Sequence, residues 1–273
     1  MKGYEIMKRF IYVLLSVLLV FMTAVASADP LFLTEDYKDT VTVFYNNENP
    51  SDGSYSYSYT FPHAFVPEST TEEADLSAAS VNRYYEKRIQ EYTVDYIPNQ
   101  ADYFATQYQN VSVDVTYQIM CNNDDFFSVL LHKTENVDGE IEETWEGNTF
   151  SRSSEMVGQL TSLPKLLGIL DAGESDEWVE DRQTNRIWEV VCTLVWNTIQ
   201  SNPDQLDFDP SLTKEDLEYI ITPEYSLDQD FYIDENGDVV FFILSRFILS
   251  EQAAEKTGIV PFRMTLEEID DEM

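Results

Sequence analysis

The chain has 273 residues, with 51 Asp and Glu against 16 Lys and Arg, a formal charge of −35. At 43% hydrophobic and 14% aromatic residues it is too apolar for a disordered acidic tail. It also lacks the basic stripe that neutralises phosphates, which excludes a nucleic-acid partner and disfavours an anionic membrane surface.

The start of the chain has the layout of a secretory signal peptide. Lys8 and Arg9 precede an uncharged, mostly apolar run from Phe10 to Val25, and Ala26-Ser-Ala28 supplies small residues for cleavage. The run is shorter than the roughly 20 residues a spanning helix needs, so removal near Ala28 is expected rather than a stable membrane anchor. The start is either Met1 or Met7, the second giving the tidier basic region Met7-Lys-Arg9, and no Cys at the boundary invites a lipid. The expected mature chain, residues 29–273, is long enough for one α/β-sized domain or two small ones. Its charge has two readings. One is solubility outside the cell; the other is attraction of a cationic partner. Cys121 and Cys192 would sit in an oxidising compartment. A disulfide between them would close a long loop and stabilise by about 4 kcal/mol on the chain-entropy model. The alternative is two buried free thiols, and neither residue has C-x-x-C spacing.

Along the mature chain, Val41-Thr-Val-Phe-Tyr45 alternates as a strand. Ser54 to Phe61 has period two, with Tyr55, Tyr57, Tyr59 and Phe61 on one face. That face is either the buried side of a strand or an aromatic platform for a sugar or a protein. Glu72 to Tyr108 is helical, with a stripe of Val81, Tyr85, Ile89, Tyr92 and Tyr96; Pro98 is expected to break it and Asn99 to cap a second segment. Strands follow at 111–120, 126–133 and 141–150, joined by Asn- and Asp-rich turns, an antiparallel meander.

After a short apolar stretch, Val157 to Leu170, Asp176 is expected to cap a helix running to Asn202. Its stripe is Trp178, Trp188, Val191, Cys192, Val195 and Ile199, and Pro203 stops it. Thr213-Lys-Glu-Asp216 resembles a capping box opening a short helix. Phe231-Tyr-Ile-Asp and Val239–Leu244 flank the hairpin turn Glu235-Asn-Gly-Asp238, and a strand at 259–263 precedes a final helix boxed by Thr265 and Glu268. The order predicts an α+β fold: an antiparallel sheet, meander plus C-terminal hairpin, with helices packed on one face. A single mature domain is expected, with sub-lobes at about 40–150 and 151–273.

Catalytic signals are weak throughout. His63 and His132 are the only histidines, without zinc spacing, and there is no G-x-S-x-G elbow. Among so many carboxylates no glycosidase pair stands out. The Asp234–Asp238 passage suits a hairpin turn better than a calcium loop, since the closing Glu is absent. Asn110-Val-Ser112 is a glycosylation sequon. No catalytic, metal or cofactor residue is assigned, and an enzyme is not expected.

Three passages carry a family resemblance. They are Gly147-Asn-Thr-Phe150 through Met156-Val-Gly158 to Leu160-Thr-Ser-Leu163, the hairpin Phe231–Phe242, and Gly258-Ile-Val-Pro-Phe262 before Leu266. Together they resemble an extracytoplasmic bacterial domain, originally of unknown function. That domain is found in the lysozyme-sensing anti-sigma factor RsiV and beside the catalytic domain of PdaC-type peptidoglycan deacetylases. An anti-sigma factor needs a cytoplasmic segment and a membrane span ahead of the domain; at most nine residues precede the apolar run here. A deacetylase needs metal-binding Asp and His residues in a domain of its own. The resemblance therefore implies the sensing module by itself: secreted, non-catalytic and part of the cell envelope, with a basic cell-wall hydrolase such as lysozyme as partner. The alternative is a cell-wall glycan-binding or glycan-processing enzyme, motivated by Tyr55, Tyr57 and Tyr59 and by surface carboxylates.

Overall fold

The computed structural model describes residues 30–46, 48–66, 72–107, 110–152, 158–170, 181–201, 207–224, 230–254 and 258–273. The predicted signal peptide, and Met156, Val157, Asp176, Trp178 and Pro203, lie outside the described residues.

Five strands form the first sheet, in the order β1 (Tyr37–Phe44), β2 (Ser54–Phe61), β3 (Asn110–Asn122), β4 (Phe126–Val137) and β5 (Glu140–Ser151). The predicted meander β3–β4–β5 is antiparallel. Its second turn uses Asp138 and Gly139, both at positive φ, with the Asn136 side chain accepting the Gly139 N–H at 2.8 Å. The expectation of a wholly antiparallel sheet is corrected at one junction. β2 and β3 run parallel, from Ser54↔Asn110 to Tyr59↔Val115. Parallel neighbours require a long crossover, and the helical segment between them supplies it.

That segment is α1 (Glu72–Glu91), a π-helical turn (Tyr92–Tyr96) and α2 (Ile97–Phe104). Pro98 does not break the helix as predicted, and Asn99 lies inside α2 rather than at its cap. The wide turn immediately ahead of Pro98, closed by the Ile97 N–H on the Tyr92 carbonyl, accommodates a ring that cannot continue the ordinary ladder. α1 and α2 cover one face of the first sheet. Tyr85, Ile97 and Phe104 meet Tyr55, Tyr57, Phe61, Val113, Phe127 and Phe150 in one core.

The second sheet is antiparallel, β6 (Phe231–Ile233), β7 (Val239–Leu244) and β8 (Ile259–Met264). One of its faces meets the bare side of β4: Tyr232, Val240 and Phe242 pack with Leu130, and the Ile233 N–H donates to Ser128 Oγ at 3.1 Å. The other face packs on α4 (Asp181–Ser201), through Ile187, Trp188, Val191, Cys192 and Val195 against Ile233, Phe241 and Phe262. Burial on both faces explains the unbroken apolar run of β7. α3 (Leu163–Leu166) and α5 (Lys214–Glu224) border this second core. α6 (Glu251–Ala254) precedes β8, and α7 (Leu266–Glu272) follows it with the predicted Thr265/Glu268 box.

The fold is α+β. Its helices lie on the outer faces of two stacked sheets, not on one face of a single sheet. Leu31–Met273 form one compact unit. Among the described residues no helix is long and apolar enough to cross a membrane.

Candidate functional site

Strand β5 sets four glutamates beside several of the chain's few cations. It reads Glu140-Ile-Glu-Glu-Thr-Trp-Glu146 in its first half, and alternation sends its side chains to opposite faces of the sheet.

Glu146 faces the helices. Arg88 of α1 grips it with both terminal nitrogens, Nη1 to Oε1 at 2.5 Å and Nη2 to Oε2 at 2.7 Å. The guanidinium lies against the rings of Phe61 and Tyr92, 5.7 and 5.3 Å from their centroids. Asn148 Nδ2 donates to Glu146 Oε1 at 2.8 Å, and the Tyr85 hydroxyl donates to Asn148 Oδ1 at 3.3 Å. Only 15% of the Arg88 side chain and 22% of the Glu146 side chain remain exposed. Burial alone would push the Glu146 carboxyl up, but the Arg88 hydrogen bonds and charge, with Asn148, hold it below the usual range. Burial likewise disfavours the charged Arg88, and Glu146 more than restores it. A cavity of about 140 Å³ opens beside the pair, lined by Tyr57, Tyr92, Leu131, Lys133 and Thr144 among others. Lys133 is itself paired with Glu135 at 2.8 Å.

Trp145 and Glu143 face the other way. His132 stacks on Trp145, with centroids 4.6 Å apart and planes at 18°. Its Nε2 is 3.2 Å from Glu143 Oε1, an ion-pair distance rather than an aligned hydrogen bond. A cavity of about 180 Å³ lies here, between Ile141, Glu142, Glu143 and Trp145 on one side and Leu244, Arg246, Ala254 and Gly258 on the other. Arg246 reaches Glu142 at 3.3 Å. Gly258 is required by proximity, since a methyl group there would overlap the six-membered ring of Trp145.

Two further cavities measure about 260 Å³ each, one beside Trp196 and Phe208 and one beside Cys121 and Glu235. These four are all below the roughly 300–1,000 Å³ that drug-sized ligands occupy. Among the described residues no group of three or more His, Cys, Asp or Glu could hold a metal ion.

Of the two readings of the β2 aromatic face, the structure carries the buried one. Tyr55, Tyr57 and Tyr59 are 0, 2 and 9% exposed, because the crossover helices lie over that face of β2. Tyr57 reaches only the inner wall of the smaller cavity. Cys121 and Cys192 are free, buried thiols in the core of the second sheet, so the structure carries the second of the two cysteine alternatives. Burial pushes them up to about 11 and about 12. His63 stacks on Tyr37 near the end of β2, away from His132 in the middle of β4. Asp234 closes the β6–β7 turn by accepting the Asn236 N–H at 2.8 Å and pairs with Arg263 at 2.6 Å, a hairpin role. Asn110 is exposed at the start of β3.

Sequence reasoning missed Arg88, Trp145 and Glu146. The available signal was Arg88 itself, three residues after Tyr85 and four before Tyr92 on the apolar stripe, where a cation implies a buried anion.

Neither a family model nor a curated protein matches the sequence. Solved structures do match, two of them from the DUF3298 family. One is a member of the DUF3298 family from Bacteroides fragilis, 12% identical with a TM-score of 0.49, the alignment covering 89% of this chain and 94% of that one. The other is a DUF3298 family protein from Pseudomonas aeruginosa, 10% identical at the same TM-score and coverage.

Proposed function

We propose that this chain is an exported, non-catalytic binding module for a cationic protein, with a basic cell-wall hydrolase such as lysozyme as its partner. The observation that carries the reading is the formal charge of −35 on a folded, core-bearing chain. Such a surface draws a basic protein in from beyond contact distance and repels acidic ones. The small cavities suit a protein surface better than a buried small molecule. The signal-peptide layout of residues 1–28 and the family resemblance point to the same compartment and class of partner.

The test is titration of residues 29–273 with lysozyme by calorimetry at 20 and 150 mM salt, beside cytochrome c as an equally basic control. Charges more than about 8 Å apart are screened at the higher salt, so what survives there reports direct contacts. A saturable complex with lysozyme that persists at 150 mM salt, and is tighter than that with cytochrome c, is expected. Absence of binding, or equal binding of both proteins that vanishes at 150 mM, would leave only nonspecific charge attraction and refute the assignment.

A further inference from the structure

We propose that the outer edge of β5 between Ile141 and Trp145 is a strand-addition site for an extended Lys- and Arg-rich segment of the cationic partner. This rests on the binding reading above and gives it an address on the fold.

β5 is the last strand of the first sheet, and among the described residues its Ile141–Trp145 backbone pairs only with β4. Its far end shows which backbone groups point outward. Ser151 donates to the Gln159 carbonyl and accepts from the Gly158 N–H, while the Thr149 carbonyl accepts from the Thr161 N–H. Both groups of a residue in an antiparallel strand point to the same side, and the side alternates. The outward groups nearer the turn are therefore those of Trp145, Glu143 and Ile141. Among the described residues none of the three has a backbone partner on that side. The edge closes only at Thr149–Ser151, where the bridge Phe150↔Leu160 begins the same kind of pairing with the chain's own residues.

Two features distinguish this edge from the others. β6 is only three residues long and β8 carries Pro261, both devices that discourage pairing. Among the described residues β1 is open too, but none of the four cavities lies against it. β5 has a cavity on each face of the sheet, about 180 and about 140 Å³, and Trp145 borders both. An added strand sends alternate side chains to opposite faces, so one would enter each cavity while main-chain hydrogen bonds hold the register.

Charge selects the occupant. Glu140, Glu142 and Glu143 are exposed along this segment, so a second copy of the same acidic edge is repelled. An extended basic segment is attracted by the same carboxylates.

The test uses Glu143→Pro. The Glu143 N–H points away from β4, so proline there removes the outward donor without breaking the β4 ladder. Glu143→Thr removes the same charge but keeps the donor and suits a strand. With residues 29–273 and lysozyme as probe, Glu143→Pro should weaken binding about tenfold or more and Glu143→Thr by about threefold or less. Hydrogen exchange on the wild-type complex should slow the amides of Ile141, Glu143 and Trp145, a readout independent of any variant's folding. Ile141→Pro, one outward position nearer the turn, serves as a second donor deletion if Glu143→Pro loses its near-UV circular dichroism. A wild-type complex whose affinity is untouched by the donor deletion, or with no slowing at those amides, overturns the strand-addition site and leaves the binding module standing. Failure of the wild-type protein to bind lysozyme overturns both.

Discussion

Replacing Glu146 with Leu should destabilise the protein by about 3 kcal/mol at pH 7. Removing one member of a fully buried ion pair costs about 3–5 kcal/mol, because the other charge is left without compensation. Here 15% and 22% of the two side chains remain exposed, so water reaches the stranded Arg88 and the lower end of that range applies. For a domain of this size the loss corresponds to a fall in Tm of roughly 6–12 °C. The double variant Arg88→Met/Glu146→Leu, which removes both charges and keeps comparable volume, should recover to within about 1 kcal/mol of wild type. Urea unfolding of the four proteins, followed by circular dichroism, measures the coupling directly. The pH dependence has a defined sign. Burial raises the Glu146 carboxyl, but Arg88 and Asn148 lower it further, so the folded value lies below the unfolded one. Its contribution is therefore fully present above the ordinary carboxylate range near 4.3 and is lost as pH falls through the folded value. The gap between wild type and Glu146→Leu should be full at pH 7 and close in acid below about pH 4. A gap under 1 kcal/mol at neutral pH, or a double variant as unstable as the sum of the singles, would refute the pair as a structural tie between α1 and β5.

Gly258→Ala should cost about 1–3 kcal/mol and shift tryptophan emission, because the added methyl must displace the Trp145 ring; unchanged stability and emission would show the ring free to move aside. Iodoacetamide at pH 8 should label neither Cys121 nor Cys192 in the native protein, since burial raises both thiols to about 11 and about 12. Both should label after unfolding in urea without reductant. Failure of both to label once unfolded would establish a disulfide instead.

Local chemistry was the most legible layer. The Tyr55-x-Tyr57-x-Tyr59-x-Phe61 alternation marked β2 to its end residues. The boxes at Thr213/Asp216 and Thr265/Glu268 formed as their spacing implies, with Asp216 N–H on Thr213 Oγ1 at 3.1 Å and Glu268 N–H on Thr265 Oγ1 at 3.0 Å. The parallel β2–β3 junction was also within reach, because only antiparallel neighbours can do without a crossover and the connection from Phe61 to Asn110 was visibly helical. Pro98 misled because propensity is local. The ring cannot continue a regular ladder, yet a packed helix can absorb it with one wide turn when Ile97, Ala101 and Phe104 must still reach the core. The stacking of the two sheets left a weaker trace, the unbroken run of β7, which a single half-exposed sheet would have interrupted with polar residues.

The site was harder because its parts are joined only in space. Arg88 and Glu146 stand 58 residues apart, and the openness of an edge is a property of topology rather than of any residue on it. What composition did imply was a shortage of cations, and β5 shows its physical consequence. Arg88, Lys133 and Arg246 are each engaged by a glutamate, at Glu146, Glu135 and Glu142. With 16 basic residues against 51 acidic ones, most carboxylates must be left without a cation and must face water to be tolerated. The largely buried Arg88–Glu146 pair therefore ties β5 to α1, and the carboxylates without a Lys or Arg partner at Glu140 and Glu143 set the sign of whatever can approach its edge. Neutralising Glu146 would loosen the fold; neutralising the exposed Glu143 would remove a contact to His132 and change what the edge attracts.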